Sequence, residues 1–325
     1  MQNLSEFFDR AKDYHILVAG DMMLDRYLWG RVDRISPEAP VPVLQLQSSE
    51  SRLGGAANVA LNLRRLGAGV SMMGMAGNDT AGDELMRMLS SEGIHSELIQ
   101  RNGDVPTTVK TRVLGGHQHL LRIDEEVHRN TIEADVFDFQ GKLDALMRDS
   151  LPDAIVLQDY NKGFLSPPMI DRLLNFAEAR EISVCVDPKD ENFFAYQGVA
   201  VFKPNLRELR AKMPFAVDVN EASLTKAADH LREKLKCGTI AITLSEHGIF
   251  LSSNGESGLF PTRARTVLDV CGAGDAVIAV LALGYLMDAS PEQMATLANA
   301  AGGVVCGTVG VSPVEVEAMR REIGS

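Results

Sequence analysis

The chain has 325 residues, of which 45% are hydrophobic, 23% charged and 6% aromatic. That is enough apolar surface for one large core or two ordinary ones, and it excludes disordered and collagen-like proteins. Its 32 basic and 44 acidic residues leave a net charge of −12, which repels phosphate backbones and removes nucleic acid from the expected partners.

The N-terminus carries Glu6, Asp9 and Asp13 where a leader would be basic and then apolar, so we expect no signal peptide and a cytoplasmic protein. Short apolar runs at His15–Asp21, Val70–Gly77, Ala154–Tyr160, Ser183–Asp187, Val199–Asn205 and Thr239–Ser245 predict buried strands. Between them, Ala56–Leu66, Thr80–Ser91, Pro168–Ala179 and Ala222–Leu235 repeat with helical period. This β-α-β rhythm predicts an α/β fold with a mostly parallel sheet covered on both faces, and ligands at the carboxyl ends of its strands. Two segments, Val41–Gln47 and Thr107–Asp124, alternate like antiparallel strands, the second with a turn at Gly115-Gly116. No flexible linker sets them off, so we read 1–325 as a single domain with a small lid inserted at about 41–47 and 107–124. The longest apolar run, Ala276–Met287, lies between Asp275 and Asp288. It is too short to span a bilayer and predicts a buried helix, so no membrane partner is expected.

Cys185, Cys237, Cys271 and Cys306 are far apart in sequence and match neither a zinc nor a redox motif. His117 and His119 share a strand face but have no clustered cysteine or carboxylate, and we expect no transition-metal site.

The strongest local signal is Asp269-Val270-Cys271-Gly272-Ala273-Gly274-Asp275, directly before the apolar helix. Glycines there leave amides open, and the first turn of a helix offers unpaired N–H groups and a positive dipole end, a place to hold an anion. Asp275 in that turn either stabilises the helix or takes a proton from an attacking hydroxyl. The motif lacks the Gly-Lys-Ser/Thr of a Walker loop, and no GxGxxG follows a strand.

This run resembles the C-terminal signature of the ribokinase-like (PfkB) carbohydrate kinases, Asp-Thr-x-Gly-Ala-Gly-Asp or close to it, and the resemblance extends over nearly the whole chain. It implies a three-layer sandwich with a small β-sheet lid, with Asp275 as catalytic base and the Gly272, Ala273 and Gly274 amides as the anion hole. Cys271 replaces the family's usual Thr, which matters little where backbone amides act. The resemblance further implies sugar binding by Asp25 and by Gly54-Gly55 with Asn58. Without it, these would be a surface-turn aspartate and a glycine turn capping a helix. Asn205 and Glu208 are similar to the family's Asn-x-x-Glu, which organises Mg²⁺ and its waters near ATP; read alone, the pattern is a helix cap with an exposed acid. Thr243, Glu246 and Gly248 fall on the stretch that resembles the nucleotide site, and Asn299 on the penultimate helix beside it.

A narrower resemblance, to bacterial heptose 7-phosphate kinases of lipopolysaccharide-core synthesis, rests on Arg34–Val43, Leu53–Ala60, Asp159–Gly163 and Asp187–Lys189. It implies ATP-dependent phosphorylation of the anomeric hydroxyl of D-glycero-D-manno-heptose 7-phosphate, by a kinase without the adenylyltransferase domain of its bifunctional relatives. Lys110, Arg112, Arg122, Lys162 and Lys189 are the cations we expect near the cleft, with Lys162 and Lys189 favoured for the substrate phosphate. The rival readings are a kinase of fructose 6-phosphate, ribose or ketodeoxygluconate, a dinucleotide-dependent oxidoreductase, and a non-catalytic sugar-sensing module. Lid strands with an exposed face lead us to expect a homodimer.

Overall fold

The computed structural model describes residues 4–116, 118–126, 138, 140–143, 151–253, 255–263 and 267–324. His117 lies outside the described residues. Thirteen strands are described: β1 His15–Gly20, β2 Met22–Ile35, β3 Pro42–Gly55, β4 Gly69–Gly77, β5 His95–Asn102, β6 Thr108–Gly115, β7 Gln118–Glu125, β8 Ala154–Gln158, β9 Ser183–Asp187, β10 Val201–Phe202, β11 Thr239–Thr243, β12 Ile249–Ser253 and β13 Glu256–Phe260. The helices are α1 Glu6–Arg10, α2 Ala56–Leu66, α3 Thr80–Ser91, α4 Pro167–Glu178, α5 Leu206–Lys212, α6 Glu221–Leu235, α7 Ala273–Leu286, α8 Pro291–Cys306 and α9 Val316–Gly324.

The large sheet runs β13-β12-β11-β10-β9-β8-β1-β4-β5. Its pairs are parallel from β11 to β5, and only the β12 and β13 edge is antiparallel. Strand alternation divides the core in two. Ile16 and Val18 of β1 pack on one side with α2, α7 and α8, while Leu17 and Ala19 pack on the other with α4 and α6. The apolar run of α7 is buried from Asp275 to Gly284, as its sequence predicts, and the helix begins already at Ala273.

The second sheet has the order β3-β2-β6-β7 and corrects the sequence reading in extent. Residues 22–25 do not form a turn after β1. They open a 14-residue strand that pairs with β3 from Met22↔Gly55 to Ile35↔Pro42, with irregularities at Trp29/Gly30 and Val32/Arg34. The run Arg34–Val43 lies at the tip of this hairpin, with Pro37–Val41 exposed. Within it the Ser36 amide donates to the Val41 carbonyl at 2.9 Å.

Side chains directly opposite one another in a sheet share a face. One row of the lid therefore reads Arg52, Asp25, Lys110, Asp124 and the next Glu50, Tyr27, Arg112, Arg122. This is the lid's inner face: Asp25, Tyr27 and Arg112 are buried on it. Val311 on the main body donates its amide to the Tyr27 hydroxyl at 2.7 Å. The opposite face carries Leu121 and Ile123, both exposed.

Candidate active site

The geometry centres on Asp275. Gly272 precedes α7 in the left-handed region at φ +80, and a Cβ on it would stand 2.9 Å from Asn58 Nδ2, so glycine is required by both backbone and space. The first helical bond runs from the Ala276 amide to the Gly272 carbonyl at 3.1 Å. The amides of Gly274 and Asp275 precede it and are the kind of donors that receive an anion. The Ala273 amide turns back to the Val270 carbonyl at 3.3 Å.

Three donors converge on the buried Asp275 carboxyl. Asn58 Nδ2 reaches Oδ2 at 2.7 Å, the Tyr160 hydroxyl reaches Oδ1 at 2.7 Å, and Gln158 Nε2 reaches Oδ1 at 3.3 Å. Burial pushes Asp275 up to about 7, against the lowering effect of the Asn58 and Tyr160 hydrogen bonds. A carboxyl in this range is poised to accept a proton near neutral pH. Tyr160 is driven well above its ordinary range, first by burial and then by the Asp275 charge, so its hydroxyl remains a donor.

Other elements hold this group in place. Asn58 sits on α2 and is gripped by Asn62, whose Nδ2 donates to the Asn58 carbonyl at 2.8 Å. Asp21, just after β1, accepts from the amides of Tyr160, Lys162 and Phe164 at 2.9, 3.0 and 3.1 Å. It thereby fixes the loop that carries Tyr160. Asp187 ends β9 and pairs with the buried Lys203 at 2.9 Å, while Gln158 Nε2 donates to its Oδ2 at 3.1 Å.

On the lid side, Asp25 is buried in β2 and paired with Arg112, which corrects the surface-turn alternative. Burial raises its carboxyl, with Arg112 opposing. A Cβ on Gly54 would stand 2.2 Å from Asp25 Oδ2, so only glycine lets β3 pass this close. Gly55, at φ +57, follows it into α2.

After β10, next to the strand that ends in Asp187, Asn205 and Glu208 form a reciprocal capping box on α5, with Asn205 Oδ1 accepting from the Glu208 amide at 2.9 Å and Glu208 Oε2 from the Asn205 amide at 2.9 Å. The acid is not exposed, as a bare cap would have it; Glu208 is buried and its other oxygen accepts from Lys189. Thr243 bridges to Asn205. Gly248, at φ +89, brings its Cα so close to the Phe260 carbonyl that a Cβ would stand 2.2 Å away. Asn299 on α8 donates to the Phe260 and Pro261 carbonyls at 3.1 and 3.3 Å. Asn205, Thr243, Gly248 and Asn299 thus line one continuous stretch, and Glu246 lies exposed in its turn.

Lys162 and Lys189 have different partners. Lys162 Nζ is 2.9 Å from Glu126 Oε1 beside the lid, and Lys189 pairs with Glu208 at the capping box. Sequence reasoning assigned no role to Gln158, Tyr160, Asp187 or Lys203. The available signals were the runs Asp159–Gly163 and Asp187–Lys189, which contain Tyr160 and Asp187 but gave them no role, and Lys203, a charge between an apolar strand and a proline. Asp187 and Lys203 reach Gln158 and Tyr160 only through sheet order.

A family model described as pfkB family carbohydrate kinase matches residues 13–318. The chain belongs to the pfkB carbohydrate kinases. It is thus a phosphotransferase acting on a sugar hydroxyl, with ATP as the phosphoryl donor that the family implies, and the oxidoreductase reading is removed. Among curated relatives, proteins named bifunctional protein HldE are 40% identical over 97% of this chain in Pseudomonas paraeruginosa and 41% identical over 94% in Magnetococcus marinus. The chain spans 64% and 63% of their respective lengths. Phosphofructokinase-2 from Escherichia coli, solved in complex with substrates and products, superposes with a TM-score of 0.80 at 18% identity, covering 96% of this chain and 98% of that one. Ribokinase from Arabidopsis thaliana, solved with ribose and ATP, gives 0.73 at 17% identity, covering 96% and 99%. These two likenesses establish the ribokinase fold.

A kinase of this family raises the question of magnesium. Among the described residues no three His, Cys, Asp or Glu side chains gather to enclose a metal ion. Asp187 and Glu208 offer hard oxygen donors, each already paired with a lysine. Mg²⁺ keeps several waters and takes one or two carboxylates beside nucleotide phosphates, so these residues fit an ion held through water.

Proposed function

We propose that this kinase phosphorylates the anomeric hydroxyl of D-glycero-D-manno-heptose 7-phosphate to give the 1,7-bisphosphate, with Asp275 as the base. The observation that carries the catalytic reading is the buried Asp275 carboxyl, near 7, at the mouth of an uncapped helix N-terminus. Asp275 takes the proton of the attacking hydroxyl, and the open amides at Gly272, Gly274 and Asp275 receive the charge that develops on the phosphoryl group, the Ala273 amide expected among them being turned to the Val270 carbonyl instead. Asn58, Tyr160 and Gln158 hold the carboxyl in line. Asp25, with Gly54 and Gly55 giving backbone access, reads sugar hydroxyls. Asn205, Thr243, Glu246, Gly248 and Asn299 form the nucleotide stretch. Asp187, Asn205 and Glu208 would hold Mg²⁺ through water, and that ion supplies charge neutralisation at the phosphates.

The heptose reading draws on the resemblance of Arg34–Val43 and Leu53–Ala60 to heptose 7-phosphate kinases, and on the relatives named HldE. The inner lid face, where Arg52, Lys110, Arg112 and Arg122 are paired with Glu50, Asp124, Glu126 and Asp25, supports it independently, since such pairs can be exchanged for the charge of an anionic substrate. Exposed Leu46, Leu121 and Ile123 on lid strands suit a homodimer through the lid. No helix among the described residues is long and apolar enough to cross a membrane, and we place the enzyme in the cytoplasm, beside its ATP. Turnover of a panel of sugars and sugar phosphates with ATP, read by ADP release, tests the assignment. Heptose 7-phosphate should exceed free heptose in kcat/KM by at least roughly tenfold, because a charge-assisted contact contributes about 1.5–3 kcal/mol. A clear preference for ribose or fructose 6-phosphate would remove the heptose reading and leave the kinase.

A further inference from the structure

Between the lid and the loop that carries Tyr160, two ammonium groups share one carboxylate. Lys110 Nζ lies 3.1 Å from Glu126 Oε2 and Lys162 Nζ lies 2.9 Å from Glu126 Oε1. The side chains are only 16%, 18% and 11% exposed for Lys110, Lys162 and Glu126. Burial would raise the Glu126 carboxyl, yet hydrogen bonds from Lys162 and Lys110 hold it below its ordinary range. Lys110 also contacts Asp124, itself paired with Arg122, so the cluster as a whole keeps an excess of positive charge.

Its position relates it to both halves of the site. Lys110 is the register partner of Asp25, one strand away on the same face. Lys162 follows Tyr160 by two residues, and its amide is anchored on the same Asp21 oxygen. The cluster is thus built into the lid row that holds Asp25 and the loop whose tyrosine touches Asp275. Lys189 is engaged elsewhere, paired with Glu208 and lying 5.5 Å over the Tyr160 ring.

We propose that Lys110 and Lys162 are the subsite for the distal phosphate of the substrate, and that the Glu126 carboxylate is the internal anion which that phosphate displaces. A single carboxylate spanning two half-buried ammoniums is a monoanion in the place of a dianion. A phosphate presents oxygen acceptors to both lysines, as the carboxylate does, with twice the charge. Glu126 keeps the cations from standing unpaired and competes with the substrate for them. This assignment rests on the proposed sugar-phosphate substrate and specifies how the phosphate is recognised.

The test uses the full chain with ATP and heptose 7-phosphate. Lys110→Met and Lys162→Met should each raise KM for the sugar phosphate by at least roughly tenfold, the loss of one charge-assisted contact, with KM for ATP unchanged as the control for folding. Lys162→Arg, which keeps the charge, should recover most of the loss. Glu126→Gln should act in the opposite direction and lower KM for the sugar phosphate, because the competitor has lost its charge. Inorganic phosphate should compete with heptose 7-phosphate, and Lys162→Met should weaken that inhibition. Unchanged KM in both lysine variants, or a KM raised by Glu126→Gln as by the lysine changes, would overturn the proposal. The outcome separates the two readings. If wild type prefers another phosphorylated sugar and the lysine variants raise its KM, the subsite stands and the heptose reading falls. If heptose 7-phosphate is preferred but the lysines do not matter, the reverse holds.

Discussion

The two sides of the site are built from different materials. Around Asp275, a buried carboxyl is held by neutral donors, Asn58, Tyr160 and Gln158, each fixed from behind by the core. At the lid, Asp25 and Arg112 hold one another by charge, as do Lys110, Glu126 and Lys162, the last reaching over from the loop that carries Tyr160. Neutral donors orient the base and lower its proton affinity less than burial raises it; ion pairs can be exchanged for a charged ligand. We therefore assign the chemistry to the body and the choice of substrate to the lid, a division that mutations can break.

The largest effect belongs to the base. Asp275→Asn should lower kcat by about 10² to 10⁴, the usual contribution of general base catalysis, with KM for ATP preserved. Retention of more than about a tenth of the activity would take Asp275 out of that role. The same substitution has a stability signature. A carboxyl raised to about 7 on folding binds a proton in the folded state that the unfolded chain has released. Its stabilising contribution is complete below the unfolded value near 4 and is lost as pH rises through about 7. Asp275→Asn removes this loss, so its Tm relative to wild type should improve from pH 5 to pH 8. A difference that stays constant across that range would contradict the raised carboxyl.

Next is Lys203. Removing one partner of a buried pair leaves the other charge stranded, at about 3–5 kcal/mol. Lys203→Met, opposite Asp187, should therefore destabilise strongly in chemical denaturation. Asp33→Asn, in the exposed pair with Arg31, should change stability by less than about 1 kcal/mol. Equal effects would mean that the Asp187–Lys203 pair is not the buried prop described here.

Much of this was legible in sequence, for reasons that can be named. Helices Ala56–Leu66 and Thr80–Ser91 have the expected bounds, since periodicity and caps are local. Gly272–Asp275 was legible because a glycine-rich entry to an apolar helix is a local event. The strand Met22–Ile35 was not: its inner face carries the buried Asp25 beside Tyr27, its distal half is exposed, and its irregularities interrupt the alternation. A strand with a charged residue on its buried face and an exposed distal half has no continuous apolar stripe to find. Asp187, Lys203 and Tyr160 come together from three strand ends, a proximity that only the sheet order β10-β9-β8 reveals. The Asn205/Glu208 pattern gave its cap, whereas the burial of Glu208 against Lys189 depends on a loop elsewhere in the chain.

Two smaller effects sharpen the contrast. Tyr160→Phe deletes one of the hydrogen bonds that lower Asp275. A bond of about 0.5–1.5 kcal/mol should move the acidic limb of the kcat/KM profile upward by roughly half a unit to one unit, with modest loss of kcat near pH 8. An unmoved limb would show that the hydroxyl does not tune the base. Glu208→Gln should shift the magnesium dependence of turnover to higher concentration, because a hard cation and its waters prefer a charged oxygen. An unchanged titration would leave Glu208 as a cap alone.

Whether burial holds Asp275 near neutrality as a base is read from the pH dependence of kcat/KM in the wild-type enzyme at saturating ATP. Full activity is expected above about pH 8, with a single acidic limb centred near 7, the value to which burial lifts Asp275. A profile that stays flat down to pH 5 would show a carboxylate of ordinary affinity and contradict that expectation.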